Sequence, residues 1–158
     1  IKVQRKYYRL VRRQGATANV PGGRGQSLKQ ARLVYDRQEV ADLGKLTSGD
    51  LVEIELEIES KNDYEYLVFE DPKAAGLEPV DRQSGYTGGF PAVYRQLRDD
   101  RVAFFFRTLA RGKHSISYRM RAEIPGRFSA LPTRGSAMYA PELKANSDEI
   151  RLGIVDRR

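Results

Sequence analysis

Period-two alternation of apolar and charged residues organises most of this chain. Residues 51–59 read Leu-Val-Glu-Ile-Glu-Leu-Glu-Ile-Glu, so Val52, Ile54, Leu56 and Ile58 share one face and Glu53, Glu55, Glu57 and Glu59 the other. Successive side chains of an extended chain point to opposite sides, and this spacing predicts a half-buried antiparallel strand with one wet face. Tyr64–Phe69 is aromatic and β-branched between Lys61-Asn62-Asp63 and Asp71-Pro72, and predicts another strand. Glu70-Asp71-Pro72 reads as its end and an obligatory break. Arg101–Leu109 contains Val102-Ala-Phe-Phe-Phe106, apolar on both faces, and predicts a central strand. Arg111-Gly112-Lys113 then turns into Ser115–Ile124, where Ile116, Tyr118, Met120, Ala122 and Ile124 alternate with polar residues. Lys2–Val11 predicts the first strand. Arg127–Ala130 and Glu149–Val155 predict the last ones, with Ile150, Leu152 and Ile154 on one face.

Elsewhere the alternation weakens. From Gln14 to Lys45, Pro21-Gly22-Gly23 and Gly25 mark loop, and residues 27–43 fit either a short helix or an added hairpin. Residues 82–96, with Gly85, Gly88, Gly89 and Pro91, read as a second loop ending in a strand at Ala92–Leu97. No long amphipathic helix and no internal repeat is visible. Six to eight short strands predict an all-β fold, an antiparallel β-sandwich of the immunoglobulin or fibronectin type III kind, with a closed barrel as the alternative. At 158 residues the chain is expected to be one domain, 1–158, with a loop-rich insertion at about 14–45. Ile54, Leu56, Phe104, Phe106, Ile116 and Tyr118 are expected to line the inter-sheet space, joined by Ile150, Leu152 and Ile154.

Composition narrows the chemistry. The chain has no cysteine, which removes disulfides, thiol nucleophiles and the common structural zinc sites. Its one histidine, His114, rules out any multi-histidine metal site and follows a turn, where a bystander role is expected. No stretch approaches the ~18 apolar residues of a membrane span. The chain starts at Ile1, which reads as a mature product or an excised domain. We therefore expect no enzyme, no cofactor and no metal.

Charge raises one competing reading. The 28 basic residues exceed the 21 acidic ones, for a net charge of +7, and residues 1–37 hold ten of the basic residues against one acid, Asp36. A nucleic-acid or polyanion surface is thus one reading. A solvated face, or one built to meet an acidic neighbour, is the simpler one. Asp99 and Asp100 are bracketed by Arg98 and Arg101 and read as a charged turn rather than metal ligands. Gly22-Gly23-Arg24-Gly25 lacks the ending and context of a phosphate loop and reads as a flexible loop. The apolar pair Met138-Tyr139 follows small residues, Gly135-Ser136-Ala137, and precedes Pro141, which is expected to end any strand there. From pattern alone it reads as a strand end packing its own edge.

Several segments, in order, resemble the C-terminal domain of bacterial alpha-2-macroglobulins. They are Gly49-Asp50-Leu51-Val52-Glu53, Asn62-Asp63-Tyr64-Glu65-Tyr66, Glu70-Asp71-Pro72-Lys73-Ala74-Ala75-Gly76-Leu77-Glu78-Pro79 and Arg98-Asp99-Asp100-Arg101. Phe104-Phe105-Phe106, Gly112-Lys113-His114, Tyr118-Arg119, Phe128-Ser129-Ala130 and Met138-Tyr139-Ala140-Pro141-Glu142 continue the series. The resemblance covers about two-thirds of the chain and implies a macroglobulin-like β-sandwich from a very large, broad-range protease trap. It implies a periplasmic or cell-envelope home, with the parent lipid-anchored in many members. It further implies packing on a neighbouring thioester domain, with Met138, Tyr139 and Pro141 by position the segment that shields the thioester from water. Some members of that family lack a thioester. The implied partners are the other domains of the same chain and the proteases the parent traps, with no nucleic acid and no direct membrane insertion. A stand-alone adhesive or carbohydrate-binding sandwich is the alternative function.

Overall fold

The computed structural model describes residues 1–14, 18–21, 27–30, 34–87 and 92–158. Among them stand sixteen strands and no helix. In chain order these are β1 (Lys2–Arg12), β2 (Ala18–Pro21), β3 (Ser27–Gln30), β4 (Tyr35–Val40), β5 (Gly44–Thr47), β6 (Leu51–Ser60), β7 (Tyr64–Pro72) and β8 (Leu77–Pro79). There follow β9 (Gly85–Tyr86), β10 (Val93–Leu97), β11 (Arg101–Leu109), β12 (Gly112–Ala122), β13 (Gly126–Ala130), β14 (Arg134–Ala137), β15 (Ala140–Asn146) and β16 (Ile150–Val155). The number exceeds six to eight because many strands are only two to five residues long, too short to leave a periodic trace.

Two large antiparallel sheets form the sandwich, in the orders β4-β1-β6-β12-β8 and β15-β14-β7-β11-β10-β9. A third, β13-β16-β5, contains a parallel pair, β16 with β5, and β2 pairs with β3 alone. The core is one cluster drawn from all three larger sheets, with Ile54, Leu56 and Tyr118 from the first, Phe69, Phe104 and Phe106 from the second, and Leu46, Leu152 and Ile154 from the third. The rings of Phe104 and Tyr118, on opposite sheets, lie 5.6 Å apart.

The strong alternations became strands at nearly the expected bounds. Of the expected core, Ile116 and Ile150 are only half-buried. β8 covers β12 at Met120–Ala122 alone, so Ile116 lies where β12 is the margin of its sheet. Ile124 does not share the inward face: β12 stops at Ala122, and Ile124 is exposed with its N–H donating to the Gly76 carbonyl. Glu70-Asp71-Pro72 closes β7, which ends at Pro72 as expected, but the end is not a wet one, because the strand turns Asp71 inward. In the stretch from 14 to 45, the described residues carry β2, β3, β4 and the start of β5. The flexible-loop reading of Gly22-Gly23-Arg24-Gly25, and the loop reading at Gly88, Gly89 and Pro91, fall outside the described residues.

Pro141 does not end a strand. Ser136 pairs with Lys144 but Ala137 with Ala140, so residues 141–143 bulge out of β15, the edge strand of its sheet. A proline in an edge bulge gives up no ladder hydrogen bond, which is why the strand continues through it.

Among the described residues, several cations near the start of the chain are paired inside the domain. β1 lies beside β6, and Lys6 meets Glu57 at 3.1 Å. Arg37 on β4 meets Glu53 and Glu55 at 3.0 and 2.9 Å and lies over the Tyr8 ring. The glutamate row of β6 and the cations of β1 and β4 therefore make one paired outer face.

Candidate interdomain contact site

Met138 and Tyr139 form the two-residue turn between β14 and β15. Small residues lead into it for a packing reason. Gly135 lies opposite Phe69, and a Cβ there would come 2.5 Å from the Phe69 ring. Gly135 and Ala137 thus let β14 pass over a buried ring, and the first large side chains appear at the turn. Neither Met138 nor Tyr139 has a positive φ, so the turn is not the type I′ or II′ form that matches strand twist. The register shift between Ser136 and Ala137 accompanies that mismatch.

The turn is buttressed from β7. Tyr66 has a φ of 55°, a left-handed conformation that costs a tyrosine about 1–2 kcal/mol. Its carbonyl accepts the Met138 N–H at 2.8 Å, and its ring meets Tyr139 edge-on with centroids 5.4 Å apart. Both turn residues remain open to solvent, Met138 at 51% and Tyr139 at 81%. Beside them a groove of about 390 Å³ runs between Tyr64, Glu65, Tyr139, Ala140, Glu142 and Leu143. The arrangement presents a thioether and a phenol ring on a braced turn. It offers apolar contact. Nothing in the sequence pattern pointed to Tyr66, because its role depends on a backbone φ that no periodicity reports.

The other sequence candidates do not converge on a site. Asp100 is paired with Arg101 at 2.8 Å, and hydrogen bonding from that guanidinium holds its carboxyl below the usual range. Arg101 also reaches Glu70 at 3.1 Å, which fits the charged-turn reading. His114 donates from Nε2 to the Ala110 carbonyl at 2.7 Å. Among the described residues no group of three or more His, Asp or Glu is placed to hold a metal.

A buried polar cluster was missed by the sequence reading. Asp71 accepts hydrogen bonds from Arg5 (2.7 Å), Thr133 (2.9 Å) and the Tyr118 hydroxyl (2.5 Å). Arg5 also donates to the carbonyls of Leu131 and Ala130 at 2.7 and 2.8 Å. Burial and the Asp71 charge push the Tyr118 hydroxyl well above its ordinary pKa. Burial alone lowers the Arg5 pKa, but Tyr7 and Asp71 reverse this and leave it raised. The Arg5 and Asp71 side chains are closed to solvent and bonded within the domain, so the group is structural. A signal existed: Arg5 shares its face with Val3 and Tyr7, and Asp71 with Leu67 and Phe69.

The profile described as "Bacterial Alpha-2-macroglobulin MG10 domain" matches residues 1–142. The chain is 29% identical over 120 residues to an alpha-2-macroglobulin homolog of Nostoc sp., covering 71% of this chain and 6% of that protein. It is 33% identical over 129 residues to the alpha-2-macroglobulin of Thermotoga maritima, covering 73% of this chain and 8% of the relative. Its fold is similar to part of the Salmonella alpha-2-macroglobulin reacted with methylamine, with a TM-score of 0.61, 19% identity, and coverage of 96% of this chain and 9% of that one. The chain thus spans less than a tenth of the length of these relatives.

Proposed function

Because the chain belongs to the family of bacterial alpha-2-macroglobulin MG10 domains, we propose that it is a non-catalytic docking domain of a broad-range protease inhibitor, packing on the thioester domain of its parent chain and covering the thioester with Met138 and Tyr139. The observation that carries this reading is the braced, solvent-open apolar turn between β14 and β15. This chain has no cysteine, so the thioester belongs to another domain of the parent. The parent acts in the periplasm or cell envelope, and the proteases it traps meet it there.

The chemistry asks for these residue types. A thioester is lost when water or an amine reaches its acyl carbon: a C–O or C–N bond forms, the C–S bond breaks, and the sulfur leaves as a thiolate. A polarizable thioether beside a flat ring fills an irregular apolar gap and keeps small nucleophiles out. Bracing by Tyr66 means that little ordering is needed when the neighbour docks. That the Salmonella relative reacts with methylamine supports the reading.

The test uses the full-length parent. Met138→Ala and Tyr139→Ala should each speed methylamine incorporation and thiol release, while the melting temperature of the 158-residue chain stays nearly unchanged. Equal rates in wild type and both variants, or a wild-type parent that releases no thiol, would overturn the shielding role.

A further inference from the structure

Two local rules are broken side by side on the outer face of the three-stranded sheet. Gly153 sits inside β16, where glycine packs nothing and adds freedom to the unfolded chain. Neither usual reason for it applies. Its φ is not left-handed, and an added Cβ would meet only Lys45 Cγ at 3.7 Å and the Gly44 carbonyl oxygen at 3.9 Å, ordinary contact distances. Gly76 is the contrast, since a Cβ there would come 2.4 Å from the Phe128 ring. Leu43 makes the opposite exchange. It holds a φ of 64°, where glycine or asparagine is the cheap choice, and its side chain is 67% exposed. Its N–H is fixed to the Arg151 carbonyl at 2.8 Å. Such departures from local preference concentrate where function has overridden them.

Both residues line one groove of about 450 Å³, shared with Lys45 and Arg127. Gly153 pairs with Arg127 on β13 and with Lys45 on β5, so the missing side chain is a gap between two cations in one cross-strand row. Among the described residues no acid lies within ion-pair distance of either cation. Arg151, at the rim, is already paired with Asp42 at 2.6 Å.

We propose that this face docks an extended acidic segment of a neighbouring domain of the same chain, seated over Gly153 with its carboxylates on Lys45 and Arg127. The two unpaired cations select an acidic partner, and a partner domain in the same chain is supported by the length of the relatives, of which this chain matches 6% and 8%. A second copy docked face to face would set like charges against each other. Two free cations also fall short of the cluster of ~4–8 that recognises an anionic bilayer. The inference rests on family membership and is independent of the role given to Met138 and Tyr139.

The probe is a capped hexapeptide of alternating glutamate and leucine, titrated into the isotope-labelled 158-residue chain. Amide resonances of Leu43, Lys45, Arg127 and Gly153 should shift, and added salt should weaken the effect. Lys45→Glu with Arg127→Glu should weaken binding about tenfold. Gly153→Val should abolish it, with Gly153→Ala as the milder variant, while neither lowers the melting temperature. Met138→Ala should leave it unchanged, which separates this proposal from the one above. In the full-length parent, amides at 43–45 and 151–153 should exchange more slowly than in the 158-residue chain. No shift, shifts elsewhere, indifference to Gly153→Val, or equal exchange would each overturn the proposal. So would concentration-dependent shifts without peptide, or binding to phosphatidylglycerol vesicles that the charge reversals abolish.

Discussion

Arg5 and Asp71 meet at 2.7 Å between the two large sheets, and neither side chain reaches solvent. One comes from β1 and the other from β7, so the pair holds the sheets in one relative position. Taking two charges out of water nearly cancels their attraction, and such a pair adds little net stability. Removing one partner is different, because a buried charge is then left uncompensated. Asp71→Asn should cost about 3–5 kcal/mol in urea unfolding. Replacing both residues, Arg5→Met with Asp71→Leu, should cost less than Asp71→Asn alone. A double variant worse than the single one would mean that the pair contributes net stability.

The Phe104 ring is fully buried against Tyr118 of the opposite sheet. Phe104→Ala should therefore cost about 3–5 kcal/mol, lost transfer energy plus the cavity left behind. A loss under about 1 kcal/mol would be incompatible with that packing.

Two glycines should respond oppositely to the same change. Gly135→Ala drives a methyl into the Phe69 ring and should destabilise by about 1–3 kcal/mol. Gly153→Ala meets only ordinary contacts and should be neutral or stabilise by about 0.4–1 kcal/mol, through reduced freedom of the unfolded chain. Thermal melts of the two variants decide this directly.

Acid should weaken one link between β16 and the turn before β5. Asp42 accepts the Arg151 side chain and backbone N–H, which lowers its pKa from 3.8 to about 2. A carboxylate with a depressed folded-state pKa stabilises fully above its unfolded value, and that contribution disappears as pH falls through the folded value. Asp42 should therefore support stability at pH 5 and progressively fail between 3.8 and about 2. Asp42→Asn should flatten that part of the acid-unfolding curve, and added salt should shrink the difference, because the pair is exposed.

The sequence by itself determined the layers. Residues 51–59 and 115–122 alternate so regularly that only one face of each can be buried, and that choice is made by neighbours one or two residues away. The motifs of residues 49–142 likewise carried the family, since each is a short string read without geometry. Tertiary structure decided what depends on distant partners. Asp71 read as a polar strand end because its reason for being buried, Arg5, lies sixty-six residues away on another sheet. Pro141 read as a stop because a bulge at an edge strand is invisible until the partner strand is placed. Met138 and Tyr139 were legible as an apolar pair, but their bracing needed the left-handed turn at Tyr66, and Gly153 became informative only once Lys45 and Arg127 stood on either side of it. Local periodicity reports which face of a strand is wet or dry, and the identity of what lies opposite is a property of the assembled sheets.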